Sequence, residues 1–332
     1  MTALPKVLIA DFLRDASVEG PVLAGVADVV VAHVHSEADL APHLAEAEAV
    51  ILFHDIARMT DASFAAAPQC RAVIRGGVGF NNVDIEAAGR RGIAVCNVPD
   101  YGTEEVADHA IMLLLAVARH LRIADSSMRA GVWDYLEGRD TPRLRGKTLG
   151  LVGCGRIGSA TALRAKAFGL DVVFYDPNVP SGFDKALGIR REFRLEALLE
   201  SSHFVSIHCY LDDRSHQLID AEALARMRPG SILINTARGS IVDQVALVAA
   251  LESGHLLGAG LDVFEREPLD DDRLRRHPRV ILTPHSAFYS IEGFIELRTK
   301  AAEEARRVVL GEPVRNLVNG EWLVGTRISL PG

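Results

Sequence analysis

The sequence predicts an α/β fold built as two doubly wound parallel sheets. Three observations point there: short β-rich runs alternate with amphipathic helical stretches almost from end to end, the runs are close to continuously apolar, and one strand-to-helix junction carries the glycine spacing of a dinucleotide-binding unit. Continuous apolar character means strands covered on both faces, which is the signature of parallel sheets flanked by helices.

Eleven runs read as strands, at 6–10, 28–32, 49–54, 72–75, 94–97, 148–153, 172–176, 203–208, 231–235, 259–263 and 280–283. A long helical pattern covers 103–120, a second follows the glycines at 156–168, and a third, rich in Ala, Glu and Arg, covers 291–310. Between the first two lies a polar, weakly periodic stretch, 126–145, containing Trp133 and Pro142. Trp133 reads as packing, and the charged run Glu303-Glu304-Ala305-Arg306-Arg307 as a solvated helix face.

The 332 residues correspond to about two domains. The tail helix is expected to leave the second domain and return to the first, giving 1–100 with 287–332 as one domain and 101–286 as the other. The hinge is then two crossings, near 99–103 and 286–290.

With 36 Lys+Arg against 44 Asp+Glu, the net charge of −8 offers no general attraction to nucleic acid or anionic lipid. An anionic ligand must be held by local positive groups. The longest apolar run, Ile111 to Ala118, falls far short of the ~20 residues a membrane span needs. The start leads straight into a strand with no basic, apolar and cleavage regions in order, so export is not expected. Cys70, Cys96, Cys154 and Cys209 show neither CxxC nor metal-ligand spacing and read as reduced thiols of a cytoplasmic protein without a metal site.

The sharpest local pattern is Gly153-Cys154-Gly155-Arg156-Ile157-Gly158, preceded by an apolar strand and followed by a helix, then by a strand ending in Asp176. The glycines serve a tight turn, close approach of backbone to pyrophosphate, and helix-on-strand packing, while the helix N-terminus, starting at Arg156 and Ile157, faces the phosphates. Asp176 lies where an acid meets the adenosine ribose hydroxyls. It repels a 2′-phosphate, and no arginine follows in Pro177-Asn178-Val179, so NAD (NADH) is the expected cofactor rather than NADP.

Three later strands end in polar residues, where ligands gather in an open α/β sheet: Asn235-Thr236-Ala237-Arg238-Gly239, then Gly260-Leu261-Asp262-Val263-Phe264-Glu265-Arg266-Glu267-Pro268, and Thr283-Pro284-His285-Ser286-Ala287. With these segments the sequence resembles the D-isomer-specific 2-hydroxyacid dehydrogenase family, over about residues 45 to 320. Segments 164–177, 206–219 and 283–290 look most like its C-terminal binding protein-like branch. The resemblance implies a Rossmann NAD domain, 101–286, inserted into a flavodoxin-like substrate domain, and a small 2-keto or 2-hydroxy acid as substrate.

The chemistry can be argued from the residues. Reduction of a 2-keto acid needs a hydride, a proton and a cation for the carboxylate and carbonyl. His285 is the expected proton donor and acceptor, Glu267 the partner of its other ring nitrogen, favouring imidazolium, and Arg238 the rigid cationic fork. Taken singly, a histidine after proline reads as a turn residue, a glutamate before proline as a solvated acid, and an arginine before glycine as a strand cap.

In the first domain, Arg75-Gly76-Gly77-Val78 resembles the family's substrate loop, where glycine amides can ring a carboxylate. By the same resemblance Arg75 is a second cation, His54 lies near substrate, and Phe288 occupies a pocket-lining aromatic position. Val78, Thr236 and Asp262 match positions at the nicotinamide end, Cys209, Tyr210 and Ser215 match the loop under the adenine, and Ala237 and Ser286 are further cofactor-binding positions.

Other readings are an NAD(H)-responsive regulator that binds protein partners, a phosphoglycerate dehydrogenase lacking a regulatory domain, and a methyltransferase sharing the glycine motif. The last gives no use to an arginine, glutamate and histidine set. The helix at 103–120, apolar on more than one face, suits the interface of a homodimer.

Overall fold

The computed structural model describes residues 3–326 and 328–330. The chain forms two compact units, Met1–Gly102 with Ser290–Gly332, and Thr103–Tyr289.

The first unit is built on β1 (Lys6–Asp11), β2 (Asp28–His33), β3 (Ala47–Leu52), β4 (Ala72–Arg75) and β5 (Ala94–Asn97), in the order β2-β1-β3-β4-β5. Every pairing is parallel. This is the flavodoxin-like order, whose direction reverses between β1 and β3. Val7, Leu8, Ile9 and Ala10 are all but inaccessible, so β1 is covered on both faces as its unbroken apolar run requires.

The Ile291–Leu310 helix packs on β3 and β4 and against the Glu19–Leu23 helix. Ser290 caps its start by accepting from the Gly293 amide, and Gly311, at φ 72°, ends it. Arg298 grips Glu19 through two 2.7 Å hydrogen bonds, both groups buried. One part of the expected solvated face is also buried: Glu304 is inaccessible and accepts the Arg315 amide at 3.0 Å. A chain segment after the helix crosses it there, which helical periodicity does not reveal.

The second unit carries β6 (Thr148–Val152), β7 (Asp171–Tyr175), β8 (Arg190–Arg191), β9 (Phe204–Ile207), β10 (Ser231–Asn235), β11 (Leu256–Leu261) and β12 (Val280–Leu282). Their order, β12-β11-β10-β9-β6-β7-β8, is parallel throughout, and reversal falls between β6 and β9 as in dinucleotide-binding folds. The expected strand at 49–54 stops at Leu52, leaving His54 in the loop beyond. β8, two arginines on a sheet edge, has no apolar signal and was not expected from sequence.

The Thr103–Ala118 helix buries its apolar faces within its own unit, against the Arg156–Ala167 helix, β10 and β11. Beyond it, running into the start of the polar stretch, lies a helix that periodicity did not predict, Leu121–Arg129, none of whose residues is buried. Trp133 corrects its sequence reading. It is 88% exposed, with Tyr135 at 89%, so neither ring is buried among the described residues. No helix among the described residues is long and apolar enough to cross a membrane.

The buried Arg298–Glu19 pair yields a stability test. Removing one partner strands a charge in the core, so Arg298→Ala is expected to cost about 3 kcal/mol in urea unfolding; a change below about 1 kcal/mol contradicts the pair's role.

Candidate active site

The second unit assembles its polar groups at the C-terminal ends of the strands. After β6, Gly153 sits at φ 94°, and a β-carbon there would lie 2.5 Å from the Cys209 amide nitrogen. One at Gly158 would lie 2.4 Å from the Gly153 carbonyl oxygen. Both positions therefore demand glycine for packing, whereas a β-carbon at Gly155 meets nothing within 4 Å. The Arg156–Ala167 helix begins beside that open space with Gly155 as its N-cap and no side chain capping it. Pyrophosphate oxygens suit such a cradle.

Asp176 follows β7 and accepts from the Cys154 amide at 2.8 Å and the Asn178 amide at 2.9 Å, bracing the glycine turn. Arg191 donates to the Asp176 carbonyl at 2.7 Å. After β9, Ser215 donates to the Tyr210 carbonyl at 2.7 Å and accepts from the Asp212 amide at 2.8 Å, so its hydroxyl shapes the 209–215 loop. Tyr210 is exposed, and burial pushes the Cys209 thiol up to about 12. Beyond β10, the buried hydroxyl oxygen of Thr236 has no hydrogen-bond partner among the described residues. An orphaned hydroxyl beside Ala237 and Arg238, together with the glycine cradle, fits a dinucleotide with its own polar groups to offer.

Arg238 follows, with Asn235 donating to its carbonyl at 2.9 Å and its own Nη1 donating to the Ala237 carbonyl at 2.6 Å. The next residue, Gly239, lies so close to the 264–265 backbone that a β-carbon would stand 1.8 Å from the Phe264 carbonyl carbon. That approach brings the Arg238 turn against the segment carrying Glu267.

Glu267 Oε1 accepts the Phe264 amide at 3.1 Å, and Oε2 lies 2.7 Å from His285 Nδ1. Burial pushes this carboxyl up, but the His285 hydrogen bond and charge, the Phe264 amide and Arg238 together bring it below its ordinary range. Glu267 therefore engages the ring on its Nδ1 side.

His285 stands at φ 51°, an uncommon conformation for a residue with a β-carbon, and Asp262 maintains it. This carboxylate, 1% exposed at the end of the β11 segment, accepts from Thr283 Oγ1 at 2.6 Å and from the Ser286 and Ala287 amides at 2.9 and 3.0 Å. The His285 amide donates to the Asp262 carbonyl at 2.8 Å. His109, from the Thr103–Ala118 helix, completes the set with Nε2 at 2.9 Å from Thr283 Oγ1; burial lowers its imidazole against the pull of Asp262. Phe288 follows, its ring 6.4 Å from that of Tyr289. The sequence reading did not include His109 or Thr283. The threonine of Thr283-Pro284-His285 carried a signal, while a histidine on a helix 174 residues away carried none.

In the first unit, Arg75 ends β4 and its guanidinium lies over Gly77, where a β-carbon would stand 1.5 Å from Nη1. A β-carbon at Gly76 would stand 2.6 Å from the Phe53 ring. The expected ring of glycine amides needs correction at Gly76, whose N–H is spent on the Leu52 carbonyl at 2.7 Å. The half-exposed Val78 has its carbonyl held by Asn97 at 2.7 Å. His54 Nε2 lies 3.5 Å from Asp55 Oδ1, with Phe12 against its ring at 5.0 Å. Among the described residues no group of three or more His, Cys, Asp or Glu is placed to hold a metal.

Comparison with known proteins gives consistent relatives. A family model described as "D-isomer specific 2-hydroxyacid dehydrogenase, NAD binding domain" matches residues 111–287. The chain is 41% identical over 318 residues to a D-3-phosphoglycerate dehydrogenase of Mycobacterium leprae, covering 95% of this chain but 59% of that one. It is 44% identical over 265 residues to a glyoxylate reductase of Korarchaeum cryptofilum, covering 78% of this chain and 79% of the other. Among solved structures, the apo form of a Rhodotorula graminis D-mandelate dehydrogenase aligns with a TM-score of 0.85 at 30% identity, covering 95% of this chain and 98% of that one.

The lowered Glu267 carboxyl has a pH consequence. Its contribution to stability is full above the unfolded carboxyl value, about 4.3, and is lost as pH falls through the lower folded value. Urea midpoints of wild type and Glu267→Gln should converge as pH falls from 6 to about 3; a gap independent of pH contradicts the pairing with His285.

Proposed function

The chain belongs to the D-isomer specific 2-hydroxyacid dehydrogenase family, and from that membership we propose that it reduces a small 2-keto acid of glyoxylate size to the matching D-2-hydroxy acid, reversibly. Membership makes it an NAD-dependent oxidoreductase acting on a CH–OH group. The observation that carries the reading is the 2.7 Å contact between His285 and Glu267, with Arg238 near enough to draw the glutamate carboxyl down.

NADH, when bound, supplies the hydride. Arg238 binds the substrate carboxylate and polarises the keto oxygen, with charge and geometry in one planar group. His285 gives its Nε2 proton to that oxygen as the carbonyl π bond breaks, and Glu267 holds the ring through Nδ1. In the oxidative direction His285 takes the proton back. Substrate contacts by His54, Arg75, Gly77, Val78 and Phe288 belong to this proposal, as do cofactor contacts by Gly153, Gly155, Arg156, Ile157, Gly158, Asp176, Cys209, Tyr210, Thr236, Ala237, Asp262 and Ser286.

A second reading, oxidation of 3-phosphoglycerate, draws on the Mycobacterium leprae relative, although this chain spans 59% of that protein. Placement in the C-terminal binding protein-like branch rests on segments 164–177, 206–219 and 283–290 alone. A cytoplasmic location is supported by four unpaired cysteines, three of them buried.

We also infer a homodimer. The exposed apolar side chains of Leu121, Met128, Val132, Trp133, Tyr135 and Leu136 gather along one short stretch of chain, which makes that stretch the expected interface in place of the helix before it.

Three measurements test these readings. Turnover efficiency with NADH across glyoxylate, hydroxypyruvate, pyruvate, phenylpyruvate and, in the oxidative direction, 3-phosphoglycerate should rank glyoxylate or hydroxypyruvate first; preference for 3-phosphoglycerate selects the second reading. His285→Ala should lose about a thousandfold in kcat with NADH affinity nearly intact, and wild-type turnover would sink the acid–base assignment. Light scattering should give twice 35.9 kDa for wild type and a shift toward monomer for Trp133→Asp/Tyr135→Asp; a monomeric wild type overturns the dimer.

A further inference from the structure

Asn82 does work in the first unit that neither its place in a glycine-rich loop nor its residue type announces. Its Nδ2 donates to the carbonyls of Phe53 and Ile56, at 2.9 and 3.1 Å, spanning the loop that carries His54. Its Oδ1 accepts from Arg75 Nε at 3.4 Å. The side chain is half-buried, and both amide hydrogens and the amide oxygen are engaged.

The opposite side of the same loop is held by Asp11. This carboxylate, 0% exposed at the end of β1, accepts the amides of Phe53 and Ile56 at Oδ2, 3.2 and 3.3 Å away, and those of Phe12 and Asp55 at Oδ1, both at 3.0 Å. Asp11 thus takes the N–H groups of the loop and Asn82 its carbonyls. The loop follows β3 and faces the end of β1, the point where strand order reverses in this sheet and where ligands of open α/β sheets bind.

Arg75 is constrained from the other direction. Nη1 donates to the Gly76 carbonyl at 2.8 Å, the guanidinium lies over Gly77, and Nε meets Asn82. One amide side chain therefore connects the guanidinium to the loop bearing the imidazole.

We propose that Asn82 is a positioning residue for substrate binding, which makes Arg75 and His54 a single preorganised unit for a carboxylate-bearing ligand, with Asp11 as the other jaw of the clamp. The inference rests on the reading of Arg75 and His54 as substrate groups. Its physical logic is that a ligand meeting prearranged donors spends less of its binding energy on ordering them.

The test uses Asn82→Ala and Asn82→Asp in the full chain, with glyoxylate turnover and calorimetric binding of oxamate, an unreactive 2-keto acid mimic, to the NADH-loaded protein. Asn82→Ala should raise the glyoxylate KM and the oxamate Kd about tenfold, with a smaller change in kcat and an NADH Kd within about twofold. Asn82→Asp keeps the acceptor for Arg75 but sets a carboxylate oxygen against the Phe53 and Ile56 carbonyls, so its loss should be at least as large, and it decides the matter if the alanine variant does not fold.

In a double-mutant cycle, Asn82→Ala should add less than about twofold to the loss already caused by Arg75→Ala. Independent multiplication of the two losses overturns the proposal, as does unchanged oxamate affinity in the folded Asn82 variants. If the wild type reduces no 2-keto acid yet Asn82→Ala still weakens oxamate, the reductase reading fails and the clamp stands.

Discussion

A buried carboxylate at a strand end, satisfied by the amides of the loop it faces, is the constraint on which the rest of the site depends. Asp262 holds the Ser286 and Ala287 amides and the Thr283 hydroxyl, and so fixes the turn that presents His285 to Glu267. Without those partners an inaccessible carboxylate would be costly; with them it selects one conformation of a short segment, including a positive φ at His285. The histidine's placement is thus set by Asp262 and not by its own backbone preference.

The first unit repeats the device on an unrelated stretch of sequence. Asp11 ends β1 and gathers the amides of the loop after β3, as Asp262 follows β11 and gathers those after β12. In each case adjacent parallel strands bring a carboxylate at one C-terminal end beside a loop at the next, and each loop carries a histidine. Burial raises the Asp11 carboxyl while the surrounding amides pull it back, the balance expected of a charge enclosed by donors. Parallel sheets supply this geometry because their strand ends share one edge.

Much of the fold was legible because its signal is local. Continuous apolar runs marked the strands, and helical periodicity at 291–310 marked the tail helix within the bounds the structure gives it. What escaped was two-residue β8, with no hydrophobic content, and the Leu121–Arg129 helix, whose apolar side chains face outward. Trp133 was misread for the same reason: an aromatic ring in sequence says it wants burial, not whether its own chain or another provides it.

The Glu267–His285 contact was legible, because both residues stand beyond strand ends where polar groups gather, and its support was opaque because it comes from afar. His109 reaches Thr283 across 174 positions, and Asp11 reaches Ile56 across 45. Hydrogen exchange at the Ser286 and Ala287 amides, in wild type and Asp262→Asn, tests the central claim most directly. An asparagine must turn an NH2 toward the Ser286 or the Ala287 amide, so protection at that amide should fall more than about tenfold together with the turnover rate; protection and turnover both at wild-type levels would contradict the account.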